Sequence, residues 1–474
     1  MQLLWLRNDL RLHDHPGFEL ARQRQQPLAV VYILPSHWLQ TDSHGTHRLS
    51  AVKARFLRTC LIQLHRDLYK ENIRLTLTSG DPVEVLTQLH QQHPFELLTH
   101  TAQAPEEADW LAQLQPHMTI TTYESQTLFS EEQLAPLLNQ NSFPASFSGF
   151  RKQVERKLDI QPPEPIAPSP LLLTDWTPDV PGNIQWPDDW HLQPQPGFNR
   201  LGGEQPGIKW LKEYLWQRRA IDHYKSTRNR LTGDDYSSQI SPWLAWGSLS
   251  PRYVWQQIND YESEFGSSEH SGWLKQELLW REFFHWSLRV NQHRFFTYSG
   301  LKAGELTSPP AFNQSNWDAW RNASTGFPMI DAGLNELHQS GFVSNRLRQI
   351  LASFFIHELQ LDWRLGARWF EQHLIDFDVA SNWGNWSYIA GSGHDPRNGR
   401  YFMLNKQLRQ YDPELSHIHL WLPELKDSTL EHICQHQQGQ QRLKEYPAPI
   451  VTVKHKELFK DQSKNLSQKL SKAR

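Results

Sequence analysis

Leu3-Leu4-Trp5-Leu6, broken at once by Arg7-Asn8-Asp9-Leu10-Arg11, decides the first part of the fold. An apolar run that stops abruptly at charge reads as a short strand buried on both faces. Leu28–Leu34 repeats the pattern, and Ile73–Thr78, Phe95–His100 and Met118–Tyr123 behave similarly. Helical spacings lie between these runs, such as Leu49-Val52-Ala54-Phe56-Leu57 and then Cys60-Leu61-Leu64-Leu68. This alternation predicts an α/β domain over residues 1–129, a doubly wound parallel sheet that receives ligands beyond the carboxyl ends of its strands. The charged turn at Arg7–Arg11 has no Gly-x-Gly-x-x-Gly, which argues against a dinucleotide dehydrogenase.

Residues 130–204 read as a linker, because 161–200 hold 10 of the 30 prolines and no sustained periodicity. Phe150–Leu158 is a short charged helix at its start. Residues 205–430 read as an all-α domain, with helices over Gly207–Ala220, Lys275–Arg289, Met329–Ser340, Arg346–Gln360 and Leu365–Leu374. Gly and Pro punctuate their ends at Ser241-Pro242, Ser250-Pro251, Gly326-Phe327-Pro328 and Gly341. Residues 431–474 form a tail with lysines at 454, 456, 460, 464, 469 and 472.

Composition narrows the function. A chain of 474 residues exceeds one domain, and 38% hydrophobic with 21% charged residues excludes a largely disordered protein. A balance of 48 Lys+Arg against 51 Asp+Glu excludes a histone-like protein but permits a local basic groove. Two cysteines, Cys60 and Cys434, are too few for a disulfide framework or a four-cysteine zinc or iron–sulfur site. Arg7, Asp9 and Arg11 interrupt any secretory core, and Leu28–Leu34 is far shorter than a membrane span. A cytoplasmic location without a membrane partner is therefore expected. The oddity is 21 tryptophans against 13 tyrosines, with 15 of the indoles between Trp210 and Trp421.

The chemistry sits in that tryptophan-rich half. Tyr224 precedes Asp235-Tyr236-Ser237-Ser238-Gln239-Ile240-Ser241-Pro242, whose hydroxyls and amides can serve an anion, although this segment by itself reads first as a helix N-cap. In Glu277-Leu278-Leu279-Trp280-Arg281-Glu282-Phe283-Phe284, positions 277, 280, 281 and 284 share one helix face. Lining a pocket, Arg281 suits phosphate, Trp280 stacking and Glu277 a base; on a surface, Glu277 and Arg281 make an i,i+4 pair. Asn345-Arg346-Leu347-Arg348-Gln349, Asp376-Phe377-Asp378 and Ser381–Tyr388 complete the set, with Arg348 and Asp376 placed to pair beside a cofactor. No Ser-His-Asp, His-Glu-x-x-His or Walker pattern accompanies them. Planar rings with amide donors fit a flavin or a nucleobase, although each tryptophan by itself reads as core. His13-Asp14-His15 and His417-Ile418-His419 lack the surrounding ligand array of a metal site.

The sequence resembles the photolyase/cryptochrome family, most closely its DASH-type cryptochromes, over nearly the whole chain. The resemblance is carried by Trp5–Asp14, Tyr224–Asn229, Asp235–Ser238, Ser241–Gly247, Glu277–Phe284, Thr325–Ala332, Ser344–Arg346, Asn382–Tyr388, Gly393–Arg397 and Tyr446–Ile450. It implies FAD, with Tyr224, Ser237, Ser238, Ile240 and Ser241 holding its phosphates and ribityl chain. Glu277 and Arg281 would line the pocket, with Asn345 beside it. Arg348 would pair with Asp376 beside the flavin ring, Asp378 would contact the flavin or adenine side, and Asn382 would face N5. Glu106 and Glu107 stand at the positions that contact a reduced-folate antenna, 5,10-methenyltetrahydrofolate.

The resemblance implies light-driven splitting of cyclobutane pyrimidine dimers by an electron from the excited, reduced flavin. Glu277, Trp280, Asn345 and Tyr388 match lesion-contacting positions. Tyr388 replaces the tryptophan usual in bacterial dimer photolyases, and weaker stacking predicts a preference for single-stranded DNA. RNA is the second polyanion such a site admits, and a monomer is expected. Trp386 and Trp363 match the first two members of the chain of tryptophans that reduces the flavin. The third position falls on Pro310, with Trp317 or Trp320 as substitutes. A light-signalling receptor is the alternative function. Repair of (6-4) photoproducts would need a histidine pair where this chain has Asn345 and Gln349, and the iron–sulfur branch would need four cysteines. A non-catalytic nucleic-acid module would lack a flavin absorption band.

Overall fold

The computed structural model describes residues 1–139, 142–164, 171–180, 184, 186–187, 190, 200–302, 308–396 and 399–453. The lysines from Lys454 onward, Arg397 and parts of the proline-rich connection lie outside the described residues.

Five parallel strands, β1 (Gln2–Leu6), β2 (Leu28–Pro35), β3 (Leu75–Gly80), β4 (Glu96–His100) and β5 (Ile120–Tyr123), form one sheet in the order β3-β2-β1-β4-β5. Leu4 pairs with Val30 and Leu98 across β2 and β4. Side chains alternate as a pleated strand requires. Leu4 and Leu6 enter the larger core with helices α1 (Pro16–Arg24) and α2 (Ala51–Lys70). Leu3 and Trp5 enter a smaller core with α3 (Pro82–Gln92) and α4 (Pro105–Leu114). Helices thus cover both faces of the sheet, as a doubly wound fold demands.

Two strands begin later than their apolar runs. Asn72 is left-handed (φ 58°), and the Ile73 amide bonds back to the Leu68 carbonyl at 2.9 Å. Ile73 therefore closes α2 in a Schellman turn, and β3 starts at Leu75. The Met118 amide likewise bonds back to Leu114 (3.2 Å), so β5 starts at Ile120.

Helix α5 (Phe147–Lys157) begins three residues before its expected start, because the Ser146 hydroxyl accepts from the Gly149 amide and caps it. The expected helix 207–220 is Glu204–Lys212, a π-helical turn over Glu213–Gln217, and a stop at left-handed Arg219. The helices that build the site are α6 (Glu269–Asn291), α7 (Asn345–His357), α8 (Trp363–His373) and α9 (Val379–Ala390).

The larger core runs without a break from the sheet into the helical part. Polar contacts fasten the two. Arg11 donates to the carbonyls of Gly247 (2.9 Å) and Ser125 (2.8 Å). Arg252 is ion-paired with Asp14 at 2.5 Å. Gly247 is left-handed (φ 66°), and a Cβ there would collide with the Asn8 carbonyl, so only glycine lets these turns meet. His13 pairs with Glu204 (3.3 Å), His15 with Asp9 (3.3 Å) and His417 with Glu336 (2.9 Å), so each serves packing. Among the described residues, no helix is long and apolar enough to cross a membrane.

Candidate functional site

A cavity of about 550 Å³ opens between α6, α7, α9 and the loop before Ser241. Tyr224, Ser237, Ser238, Ile240, Ser241, Glu277, Trp280, Arg281, Asn345, Arg348, Asp376, Asp378, Asn382, Trp386 and Tyr388 all line it. Trp363 stands behind the wall rather than in it.

The serine loop is held from outside. Trp210 Nε1 donates to the Ser238 carbonyl (2.7 Å), and Gln239, left-handed at φ 49°, ties back to the carbonyls of Gly233 and Asp234 (3.2 Å each). The helix Ser241–Ala245 has no side-chain cap, and Ser241 Oγ instead donates to Asp376 Oδ2 (2.6 Å). The N-cap reading of these serines therefore does not describe their use.

Helix α6 presents Glu277, Trp280, Arg281 and Phe284 to the cavity, as their spacing requires. The i,i+4 pair does not form. Glu277 is ion-paired with Arg228, and Arg281 donates to Gln126 Oε1 (3.0 Å) and lies 3.9 Å from Asp378. Each charge finds its partner on another segment of the chain, where burial makes pairing worth more than on a wet helix face.

Arg348 Nη2 donates to Asp376 Oδ2 (2.8 Å), and its Nε donates to the Val343 carbonyl (2.7 Å). Asp376 Oδ1 is buried without a protein partner, an acceptor left over on the cavity wall. Asp378 caps α9 by accepting from the Ser381 amide (2.7 Å) and lies 2.7 Å from His285 Nε2. Burial raises the Asp378 carboxyl, but His285 and Arg281 outweigh it and hold the group below the usual range. Asn382 Nδ2 donates to the Ala367 carbonyl (3.0 Å) from a buried position. That leaves its amide oxygen as the group offered to a ligand. FAD fits these features: the volume is in the range of cofactor sites, and one buried acceptor waits for a donor.

The mouth is aromatic and basic. Trp280 stacks on Phe147 (3.8 Å, 14°) and meets Tyr388 edge-on (6.1 Å, 89°). Arg400 Nη2 donates to the Tyr388 hydroxyl (2.7 Å), and its guanidinium lies 5.0 Å from that ring's centre. Arg346 lies over Tyr411 (4.9 Å) and Phe402 (5.6 Å). Sequence reasoning gave no role to Arg228, Arg346, Arg400, Phe402 or Phe147. Arg228 lies within Tyr224–Asn229 and Arg346 within Ser344–Arg346, whereas Arg400 and Phe402 come from irregular chain with no local signal.

On the cavity wall, Trp386 packs edge-on against Phe370 (5.0 Å) and Phe355 (5.6 Å). Its indole lies against Gly366, where any Cβ would strike it. Trp363, one turn before Gly366, donates to the Tyr298 carbonyl (3.1 Å) and lies 5.8 Å from Trp383. The expected substitutes for Pro310 are both buried. Trp320 is 4.8 Å from Phe355, and Trp317 is 5.7 Å from Trp369.

Glu106 and Glu107 line a second, small cavity of about 60 Å³ with Trp38, Trp110 and Lys53. It lies beyond the carboxyl ends of β1 and β4, where the strand order reverses. Glu106 accepts from Arg48 through both oxygens (2.7 Å) and is 2.8 Å from His37. Burial raises its carboxyl, but His37 and Arg48 outweigh it and lower the group to about 2. Glu107 accepts from the Gln103 amide (2.7 Å) and is 3.2 Å from Arg7.

Two family models match the chain: DNA photolyase over residues 2–169, and the FAD binding domain of DNA photolyase over 273–464. Cryptochrome DASH of Synechocystis sp. (strain ATCC 27184 / PCC 6803 / Kazusa) is 37% identical, covering 95% of this chain and 94% of its own. The crystal structure of a Synechocystis sp. PCC6803 cryptochrome superposes with a TM-score of 0.86 at 36% identity, over 95% of this chain and 96% of that one. A bacterial class III photolyase from Agrobacterium tumefaciens superposes with a TM-score of 0.75 at 26% identity, over 95% and 94%.

Proposed function

The chain belongs to the photolyase/cryptochrome family, and from that premise we propose that it is a DASH-type, FAD-dependent, blue-light-driven lyase. Its substrate on this reading is the cyclobutane pyrimidine dimer, in single-stranded DNA by preference. The observation that carries the reading is the corner of Trp280 and Tyr388 at the mouth of a cavity furnished for a dinucleotide. Bound and reduced, the flavin supplies the electron that splits the dimer under blue light and recovers it afterwards.

The protein's part is to bind, orient and exclude water. Glu277 and Asn345 offer hydrogen bonds to two extruded, covalently linked pyrimidines of one strand, and Arg228, Arg346 and Arg400 bring positive charge to the rim for flanking phosphates. Extruding a nucleotide costs a few kcal/mol, while base–aromatic stacking returns about 1–3 kcal/mol per base. Arg400 covers one side of the Tyr388 ring, and Tyr388 meets Trp280 by its edge. The return is therefore small, enough where bases are already unpaired and short of what breaking base pairs adds. Trp386 on the cavity wall and Trp363, which packs on Trp383 and bonds to the Tyr298 carbonyl, are on this reading the carriers that pass electrons to the flavin.

The same reading makes the protein a cytoplasmic monomer, with its buried cysteines unpaired. A folate antenna at the small cavity would meet a Glu106 already held by Arg48 and His37. The test is an absorption spectrum of the purified protein followed by illumination with dimer-bearing single-stranded, duplex and RNA oligonucleotides. Flavin absorption with fastest dimer loss in single-stranded DNA is the expected result. No dimer loss on any of them with the flavin reduced overturns repair and leaves the light receptor.

A further inference from the structure

Helix α5 falls, by sequence, in the connection between the sheet and the helical domain, yet it is bolted to the site. Arg151 Nη1 donates to Gln276 Oε1 on α6 (2.6 Å). The Ala145 carbonyl, just before the helix, bonds to His394 Nδ1 (3.1 Å), whose other ring nitrogen bonds to Ser287 of α6 (2.5 Å). Phe143 stacks on Phe283 (5.6 Å, 19°), and Phe150 packs on the same ring (5.5 Å). Phe147 then lies flat on Trp280, with centroids 3.8 Å apart and planes within 14°.

Trp280 lines the cavity and Phe147 does not. One face of the indole is thus spent on Phe147, and Tyr388 and Phe284 meet it at 89° and 33°. A partly exposed tryptophan on a helix has rotamers to lose when a base stacks on it. A parallel ring pressed on its back removes that freedom before any ligand arrives.

Building on the repair reading above, we propose that Phe147 is a positioning residue of the nucleic-acid site. Stacked on the outer face of Trp280, it fixes the indole as a preorganised platform for an unstacked pyrimidine. Helix α5 is then part of the recognition device, although it lies outside the cofactor domain. Phe147 touches neither cofactor nor substrate and acts only through Trp280.

The test uses the FAD-loaded full chain and the variants Phe147→Leu, which keeps apolar bulk without a ring, and Phe147→Tyr, which restores the ring. Dark binding of dimer-bearing and undamaged single-stranded oligonucleotides is measured for each, with repair kinetics under light and FAD content. Phe147→Leu is expected to weaken binding of the dimer strand by about 3–10-fold, the size of one freed side chain that must be ordered on binding. The undamaged strand, which places no base on Trp280, should bind as before, and the loss should fall on KM rather than kcat. Phe147→Tyr should restore it. Equal losses on both strands, no loss, or no rescue by Tyr overturns the proposal. A wild-type protein that binds damaged and undamaged strands alike overturns the repair reading itself, and with it the platform.

Discussion

At the scale of single residues, Asp376 is where the cofactor site is decided. Its Oδ2 accepts from Ser241 and Arg348, while its Oδ1 is buried without a partner. Asp376→Asn keeps the shape but removes the charge opposite Arg348. Leaving that guanidinium short of its acceptor costs about 1–3 kcal/mol. FAD retained through gel filtration should fall, and the thermal midpoint of the apoprotein should drop with it. Full FAD retention would show that the leftover acceptor is not used. The Arg348–Asp376 pair was legible in the sequence because both stood in motifs. The use of Ser241 as a third member was not, because a hydroxyl before a proline reads as a cap until its partner, 135 residues away, is in view.

At the scale of elements, α8 and α9 meet through Gly366. A Cβ there would enter the Trp386 ring, so the contact requires glycine for space and not for backbone angle. Gly366→Ala should destabilise the protein by about 1–3 kcal/mol, the usual cost of overpacking a filled core. It should also slow light-driven flavin reduction, since Trp386 must shift from its place between Phe355 and Phe370. Chemical denaturation and the rate of bleaching under blue light check the two effects. Element types were readable from periodicity, and their ends were not. Ile73 and Met118 look like strand residues by composition, and only their backbone bonds to Leu68 and Leu114 assign them to helix ends. Phe147 was missed because Ser146-Phe147-Ser148-Gly149 resembles a loop until the Ser146 hydroxyl is seen capping the turn.

At the scale of the whole molecule, Glu282 joins the sheet domain to the helical one. It is fully buried and accepts from the amides of Leu128 (2.8 Å) and Phe129 (3.1 Å) and from Trp286 Nε1 (2.7 Å). Burial is the largest influence and outweighs these bonds, pushing its carboxyl up from 4.5 to about 7. A folded pKa above the unfolded one means that the folded state prefers the proton. The stabilising contribution is complete below about pH 4.5 and is lost as pH rises through about 7. The urea midpoint of the wild type should therefore carry a falling component between about pH 4.5 and 7. Glu282→Gln, neutral throughout, should flatten that component, and an unchanged slope would place the titration elsewhere. By itself the sequence determined the fold class, the family and the residues that crowd the cavity, because periodicity and motif spacing are local and survive in one dimension. Only the tertiary structure decided that Glu277 pairs with Arg228 and not Arg281, that Arg400 meets Tyr388 and Phe147 lies on Trp280, and that Glu106 is already held by Arg48. Those outcomes depend on which distant groups share a buried volume, where a carboxylate takes the nearest partner in space and not in sequence.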